Sequence, residues 1–476
     1  MENVSNQGNA YKNFLFSSSS LLTKVLVNFV SIVILARLLP AKDFGIYSIL
    51  TFLFYLVLTL GCLSANVSII KAEENINYVF TFWVVATFFF NIFSCVALYF
   101  FLTPITAHFG FELSAPSILL LLGSILFGSL ANVGDSLSQK LGLFRSLRNL
   151  DIFSNVFSFG LLLPFSALWL KDYRAFLIAL FSFSLLRFIF LYSREFSFLT
   201  FPKNLSDFRP AFRGFEAFFM ISQLANFFAL HLDNLIVGSR LGTASLGFYS
   251  RAYQLVSLPG VIIGDALDKV FFPHFKNPHS SHQSKHSDIL ICQSFLARFF
   301  LPLATALLVF SDDIVLMVLG PHWQEVGNIL RVLSLAMFLK TSAKFLYSFL
   351  KANGSSIFVC VIQILYLCMI AAAAFVGSGQ GLLAVAALVF CAIAAWWACL
   401  LIYVYFITKN KMIFGGYISD FSYFLSWLVF CIFFSLSIVL CLKDSFLAKI
   451  LFLLVFCFGW FYFLQNWLKV AKGFFK

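Results

Sequence analysis

Long uninterrupted apolar blocks constrain this chain more than any other feature of its sequence. The blocks are roughly 20 residues long, which is the length that a helix needs to cross about 30 Å of hydrocarbon. Hydrophobic residues make up 61% of the 476 positions, and charged residues only 11%. Membrane-spanning barrel strands would instead alternate polar and apolar residues over about ten positions. The pattern therefore predicts an all-α protein that crosses a membrane many times.

The blocks predict about fourteen transmembrane helices. In chain order the predicted spans are Phe14–Leu39, Gly45–Ile70, Val79–Leu102, Pro116–Leu137, Leu150–Leu170, Ala175–Phe196, Gly214–Val237, Tyr249–Phe272, Leu290–Phe310, Ile329–Leu350, Ile357–Val376, Leu382–Ile407, Tyr423–Leu442 and Phe446–Leu468. The predicted organisation is a cytoplasmic tail (1–13), an N-terminal six-helix lobe (14–198), a cytoplasmic linker (199–213), a C-terminal six-helix lobe (214–410), and an extra helix pair with a cytoplasmic tail (411–476).

The distribution of positive charge predicts an orientation. The net charge of +12 would suit a nucleic-acid-binding protein, but its location argues against that class. If the N-terminus is cytoplasmic, the connections on the cytoplasmic side hold about eighteen Lys and Arg residues, and the connections on the opposite side hold about eight. This excess on the cytoplasmic side is the positive-inside bias of membrane proteins. Basic residues at the inner leaflet also attract anionic lipid. We therefore expect a multi-pass protein of the inner (plasma) membrane, with both termini cytoplasmic and membrane lipids among its partners.

Several classes of enzyme are disfavoured by what lies between the spans. Every connection is shorter than about twenty residues, so none can hold a catalytic domain outside the membrane. The sequence has no phosphate-binding GxxxxGK[ST] loop, no HExxH metal pair and no GxSxG nucleophile turn. We therefore expect a protein that is not an enzyme and that needs no cofactor and no metal.

A short segment that follows the first predicted span recurs after the seventh. In Ile34–Ser48 and Val237–Ser250 the two copies pair Arg37 with Arg240 and Gly45 with Gly247. Six spans separate them, and an even number places both six-helix lobes the same way up, related by a pseudo-twofold axis along the membrane normal. Secondary transporters built in this way bind cargo between their lobes near the midplane and work by rocking one lobe against the other.

The same residues carry a family resemblance that covers about residues 14 to 407. The chain resembles the Wzx-type polysaccharide flippases, the oligosaccharide flippase family of the multidrug/oligosaccharidyl-lipid/polysaccharide exporter superfamily. The motifs that carry the resemblance are Leu35–Pro40, Phe44–Tyr47, Leu232–Gly238, Gly247–Tyr253, Gly320–Trp323 and Leu350–Gly354.

The resemblance implies a function. In that family an isoprenoid pyrophosphate-linked glycan crosses from the cytoplasmic to the periplasmic face through a cationic, water-filled cleft. Surface polysaccharide (O-antigen, capsule or exopolysaccharide) is then made from it, which makes the polysaccharide polymerase and export machinery candidate partners. Because the two extra C-terminal helices resemble the lipid II flippase branch, lipid II is an alternative cargo. A multidrug or cation antiporter of the same fold is a second alternative, and a membrane glycan polymerase or ligase is disfavoured by the missing external loop.

Ionisable residues within the apolar blocks are the candidate site residues. Each costs about 2.5–3.5 kcal/mol at the middle of a span, so it normally faces a cavity or a partner. A pyrophosphate requires cations, and the predicted cationic cleft consists of Lys24, Arg298, Lys340 and Lys344. The acids predicted for ion coupling are Asp233 and Asp135, and the aromatics predicted for glycan contact are Tyr249, Tyr253, Trp83 and Trp323. The alternatives are ion pairing or snorkelling for the cations, pairing between helices for the acids, and packing for the aromatics.

Overall fold

The computed structural model describes residues 20–62, 65–72, 75–200, 217–276, 282–353 and 356–408. Every regular element in these ranges is helical, and eight of their helices are long and apolar enough to cross a membrane. The prediction of an all-helical, multi-pass membrane protein is therefore confirmed. The predicted 1–13 tail, most of the predicted linker and the last two predicted spans lie outside the described residues.

The described residues form two compact units. The first holds the residues up to Arg251, together with Val318–Trp323 and Leu367–Val385. The second holds Ala252–Met317, Gln324–Tyr366 and the described residues from Ala386 onward. The lobe boundaries predicted from the sequence stay a prediction.

The last of the helices that begin in the first segment of the first unit, α9, continues past Arg251 into the second unit. In order, these helices are α1 (Ser20–Leu35), α2 (Ala41–Cys62), α3 (Ala65–Lys71), α4 (Ile76–His108), α5 (Ala115–Lys140), α6 (Phe144–Asn155), α7 (Leu163–Leu170), α8 (Arg174–Glu195) and α9 (Ala217–Lys276). Helix α5 packs extensively on α8. Small residues explain it, because Gly123 and Gly134 of α5 lie directly against side chains of α8. Without a Cβ at these positions the two helices approach closely.

Three predicted spans, the second, the seventh and the eighth, correspond to helices with different bounds. The predicted span Gly45–Ile70 corresponds to α2 and α3, whose described residues run to Cys62 and from Ala65 onward. The seventh and eighth predicted spans lie in the two helical parts of α9, which meet at a kink at Gly242 (φ 88°, ψ 167°). A residue without a Cβ adopts this backbone conformation without steric cost. One glycine therefore takes the place of the predicted loop.

The fifth predicted span contains a π-helical segment, Val156–Leu162, which joins α6 to α7. A π turn holds one residue more than an α turn and leaves backbone groups outside the α-helical hydrogen-bond pattern. The Phe159 carbonyl oxygen accepts a hydrogen bond from the Ser31 hydroxyl of α1 over 2.5 Å. Ser158 accepts another from Ser182 of α8 over 2.8 Å. The segment therefore ties three helices together by polar contacts inside an apolar layer.

The remaining described helices are α10 (His282–Val309), α11 (Ser311–Val318), α12 (Gln324–Asn353), α13 (Ser356–Ser378) and α14 (Leu382–Thr408). In the second unit α10 packs on α12. The Ser342 hydroxyl donates to Gln293 over 2.6 Å, and the Trp397 indole N–H donates to the same hydroxyl over 2.7 Å. These buried polar groups satisfy one another, so they hold α10, α12 and α14 in one arrangement.

Candidate functional site

Two helices, α9 and α12, carry five of the ten predicted site residues. Neither is among the eight helices that pass for spans on length and apolarity. Both helices carry ionisable residues, Asp233 in α9 and Lys340 and Lys344 in α12. Charges are retained within a membrane helix where they face a partner or a water-filled space. These two helices are therefore the first place to look for a cargo site.

Lys340 of α12 contacts α9 in the second unit. Its ammonium nitrogen donates a hydrogen bond to the Tyr253 hydroxyl over 2.6 Å and lies 3.5 Å from the Ser257 hydroxyl. The same nitrogen lies 3.9 Å from the centroid of the Tyr253 ring, in a cation–π arrangement. Two residues that the sequence assigned to different tasks, phosphate and glycan binding, therefore touch each other.

This contact extends into a longer interface. A Cβ on Gly260 would lie 2.7 Å from the Thr341 hydroxyl, and a Cβ on Gly264 would lie 3.5 Å from the Lys344 side chain. Positions 253, 257, 260 and 264 recur at helical spacing and so share one face of α9. We call this interface the α9–α12 stripe; its members are Tyr253, Ser257, Gly260 and Gly264 on α9, and Lys340, Thr341 and Lys344 on α12. It combines two ammonium groups with hydroxyls and one aromatic ring.

The other two predicted cations lie in different units. Lys24 is exposed on α1 in the first unit, and Arg298 is partly buried on α10 in the second. Their joint role in a cleft between lobes stays a prediction.

Asp233 is buried, with 1% of its surface exposed, and it accepts hydrogen bonds from two neighbours within α9. The Tyr249 hydroxyl donates to one carboxylate oxygen over 2.9 Å, and the backbone N–H of Asn234 donates to the other over 2.8 Å. Tyr249 is itself completely enclosed. In this structure Tyr249 therefore donates to Asp233 and is inaccessible to cargo. The predicted contact of Tyr249 with a glycan requires another conformation.

Asp135 lies in an ion cluster that the sequence analysis missed. Arg187 of α8 binds Asp135 of α5 through one guanidinium nitrogen and Asp151 of α6 through another. Only 13% of the Arg187 side chain is exposed, so the cluster is largely withdrawn from water. The sequence did contain a sign of this cluster, because Asp135, Asp151 and Arg187 are ionisable residues in three consecutive predicted spans. Asp135 is thus paired with a neighbouring helix, and its predicted role in ion coupling stays a prediction.

Both predicted tryptophans pack inside the first unit. Trp323 is 1% exposed; its indole N–H donates to the Ala36 carbonyl oxygen over 2.8 Å, and its ring meets Phe44 edge-on with centroids 5.1 Å apart. Trp83 is partly buried against an apolar cluster of α3, α4 and α5, and its indole N–H has no hydrogen-bond partner in the described ranges. Trp323 therefore holds the Leu35–Pro40 motif in place, and glycan contact at either ring stays a prediction.

The two copies of the sequence repeat meet each other in the first unit. A Cβ on Gly45 of α2 would overlap the carbonyl oxygen of Thr243 in α9, and a Cβ on Gly247 would overlap the carbonyl oxygen of Ala41. The contact is reciprocal, since each glycine faces the residue four positions before the other. Both copies have a small residue, then three others, then glycine, the pattern that lets helix backbones touch in a membrane. We call this contact the glycine crossing.

A second residue missed by the sequence analysis adjoins the glycine crossing. Arg251, in the Gly247–Tyr253 motif, is 7% exposed, and its guanidinium carbon lies 4.8 Å from the centroid of the Phe44 ring. The motif had drawn attention to its glycine and tyrosines rather than to this cation.

Residues 34–328 match a family described as polysaccharide biosynthesis protein. The chain belongs to this family. The match covers both copies of the repeat, the glycine crossing and the first residues of α12. The resemblance to Wzx-type polysaccharide flippases found in the sequence motifs is thereby confirmed.

Relatives in polysaccharide synthesis agree with the family. The teichuronic acid biosynthesis protein TuaB of Bacillus subtilis is 31% identical over 206 residues, which are 42% of this chain and 42% of TuaB. The succinoglycan biosynthesis transport protein ExoT of Rhizobium meliloti is 23% identical over 340 residues, which are 69% of this chain and 66% of ExoT. The chain thus matches less than two thirds of the length of either relative.

The fold is also that of a solved transporter. The lipid II flippase MurJ in an inward closed conformation superimposes with a TM-score of 0.68, over 95% of this chain and 99% of MurJ. The sequences are 14% identical, so this likeness concerns the fold alone.

Proposed function

We propose that this protein is a flippase that moves an isoprenoid pyrophosphate-linked oligosaccharide from the cytoplasmic to the periplasmic leaflet of the inner membrane. The glycan then enters O-antigen, capsule or exopolysaccharide synthesis, so the polymerase and export machinery are its expected partners. Transport proceeds by alternating access of two lobes without ATP hydrolysis. Membership in a polysaccharide biosynthesis family and a fold shared with a flippase both support the proposal.

The α9–α12 stripe is the observation that carries the proposal. An ammonium group over an aromatic ring gains about 0.5–2 kcal/mol. An ammonium and a phosphate oxygen 4 Å apart attract by about 4 kcal/mol at an effective dielectric constant of 20. A pyrophosphate that reaches Lys340 would therefore displace the Tyr253 ring, which is then free to stack on a sugar. Lys344 lies one turn further along the same helix, where it can contact the second phosphate.

The two alternatives differ in the charge and the identity of the cargo. A multidrug or cation antiporter favours an acidic aromatic cleft, whereas the stripe presents two lysines. Lipid II carries the same pyrophosphate as other isoprenoid-linked glycans, so the stripe would suit it equally well. Assays with each cargo class separate these functions.

The test compares two lysines of one helix. Lys340 lies 3.9 Å from the centroid of the Tyr253 ring, and Lys351, near the end of α12, lies 5.0 Å from that of Tyr347. Each is changed to Ala in a host whose own copy of the gene has been deleted. Surface polysaccharide and the accumulation of its cytoplasmic lipid-linked precursor are then measured. We expect Lys340→Ala to stop surface polysaccharide and raise the precursor, and Lys351→Ala to change neither.

Normal surface polysaccharide with Lys340→Ala, at equal amounts of protein in the membrane, would contradict the assigned site. Loss of resistance to cationic drugs with no change in polysaccharide would favour the antiporter. A growth defect relieved by a second lipid II flippase would favour lipid II as cargo.

A further inference from the structure

A buried carboxyl group lies at the end of α8. Glu195, the last residue of that helix, is 2% exposed. One of its carboxyl oxygens accepts a hydrogen bond from the Ser138 hydroxyl of α5. The other, Oε2, is closed to solvent and has no hydrogen-bond partner within the described residues. It packs against α5 where Gly134 leaves space, since a Cβ there would lie 2.8 Å from Oε2. An ionised carboxylate in this position would leave an oxygen unsatisfied, which is costly.

Glu195 also lines a cavity of about 380 Å³. The polar groups in its wall are Ser138, Ser146, Arg194 and Glu195, and most of the rest is leucine and phenylalanine. These residues come from the ends of α5 and α8 and the start of α6, at the side predicted to face the cytoplasm. The cavity therefore brings space for a small ligand up to the Glu195 side chain.

The charges around Glu195 leave an excess of negative charge. Asp135 of α5 and Arg194 of α8 interact with it electrostatically, and Tyr192 of α8 also faces it. Asp135 in turn shares Arg187 with Asp151 of α6. If Glu195 is ionised, the group holds three carboxylates and two guanidinium groups, and one negative charge is left uncompensated. The carboxylates are those of Glu195, Asp135 and Asp151, and the guanidinium groups are those of Arg187 and Arg194. One added positive charge would balance the group, and a partly buried cluster favours that state.

The oxygens present fit a proton better than a metal ion. Hard metal cations require about six oxygen ligands. Within the described residues, hydrogen bonds and packing bring only the Ser138 hydroxyl to the Glu195 carboxyl group as a further side-chain oxygen. A proton needs a single acceptor, and the unpartnered Oε2 provides it.

We propose that Glu195 is a proton-binding site supplied through this cavity, and that its protonation and release accompany the transport cycle. The second part rests on the proposed function; the first does not. Binding converts a carboxylate and one proton into a neutral carboxylic acid, which removes the excess negative charge between α5, α6 and α8.

Infrared difference spectroscopy tests the site without cargo. The full-length protein is purified in lipid nanodiscs, and the spectrum of Glu195→Gln at neutral pH is subtracted from that of the unchanged protein. We expect a carbonyl stretching band of a protonated carboxylic acid that is lost in Glu195→Gln. Glu112→Gln is the matched control, because Glu112 is exposed in the loop between α4 and α5, and the band should remain. Ser138→Ala should keep the band and shift it to higher frequency, because the carbonyl loses a hydrogen bond.

A band of the same intensity in Glu195→Gln, or no band in the unchanged protein, would overturn the site. In proteoliposomes with lipid-linked oligosaccharide, an imposed pH gradient should change the flipping rate of the unchanged protein but not of Glu195→Gln. Equal responses in the two proteins would overturn the coupling. If the unchanged protein flips nothing while the band is present, the proposed function fails and the proton site stands.

Discussion

The Tyr249 hydroxyl donates a hydrogen bond to the buried Asp233 carboxylate across the backbone break at Gly242, so one pair of side chains fastens the two halves of α9. We expect Tyr249→Phe to lower the free energy of unfolding by about 1–3 kcal/mol, because a buried carboxylate oxygen loses its donor. Thermal unfolding of the purified protein in detergent measures the change. Tyr99→Phe is the control, since that side chain is 58% exposed on α4. Equal unfolding temperatures for the two variants would show that the hydrogen bond contributes nothing.

The glycine crossing predicts a matched pair of defects. Gly45→Ala and Gly247→Ala each place a methyl group on a backbone carbonyl that cannot move aside like a side chain. Overpacking of this kind costs roughly 1–3 kcal/mol, and we expect both variants to unfold at lower temperature. Gly160→Ala serves as the control. A Cβ at this position would lie 3.4 Å from the Val27 side chain, which is an ordinary van der Waals distance, and its other neighbour belongs to the preceding turn of the same helix. If all three variants unfold alike, the backbones do not touch as described.

The ion cluster predicts a large effect from one missing cation. Arg187→Met leaves Asp135 and Asp151 without their shared partner, and breaking a buried pair costs about 3–5 kcal/mol. We expect poor accumulation in the membrane and a lower unfolding temperature. Adding Asp135→Asn should recover part of the loss, because one unpaired charge is then removed. Arg174→Gln breaks the exposed pair with Asp172 and should change little. A stable Arg187→Met variant would contradict the cluster.

Sequence reasoning found the repeat but not the contact within it. It paired Gly45 with Gly247 as equivalent positions, and equivalence in a repeat does not imply that two residues touch. It singled out Asp135 and missed Arg187, although Arg187 lies near the middle of the predicted span Ala175–Phe196, where a charge calls for a partner. Of the α9–α12 stripe, sequence reasoning singled out Lys340 and Lys344 on α12 and Tyr253 on α9, but it did not predict that they touch. Periodicity within one helix cannot identify the face of the other helix that packs on it.

The transport proposal predicts a response to voltage. A pyrophosphate diester carries about two negative charges, and each gains roughly 2.3 kcal/mol per 100 mV on moving toward the positive side. Export from a negative cytoplasm is therefore favoured by about 4–5 kcal/mol per 100 mV, if the charge is not neutralised on the way. Flipping in proteoliposomes should increase with an imposed potassium-diffusion potential and ignore ATP. A requirement for ATP hydrolysis by this chain alone would remove the mechanism.

The predicted orientation can be tested at positions that the structure shows to be accessible. His108 and Gln380 are exposed in connections predicted to be periplasmic, and Arg145 and Asn353 are exposed where the cytoplasm is predicted. Single cysteines at these positions, in a protein without its native cysteines, are treated with a membrane-impermeant thiol reagent. In intact cells with a permeable outer membrane we expect reaction at 108 and 380 only. Reaction at 353 under these conditions would overturn the predicted orientation.

The π-helical segment Val156–Leu162 sets the angular phase between two halves of one span. Each residue of an α-helix advances by about 100° around the axis, so the additional residue of a π turn rotates everything on one side of it relative to the other. Asp151 lies before the segment and reaches Arg187, whereas Phe159 lies within it and accepts from Ser31. Both groups meet their partners in the phase that this segment gives to the helix. The irregularity therefore acts as a rotational spacer within one helix. That helix contributes Asp151 to the ion cluster of α5, α6 and α8, and it accepts the hydrogen bond that attaches α1.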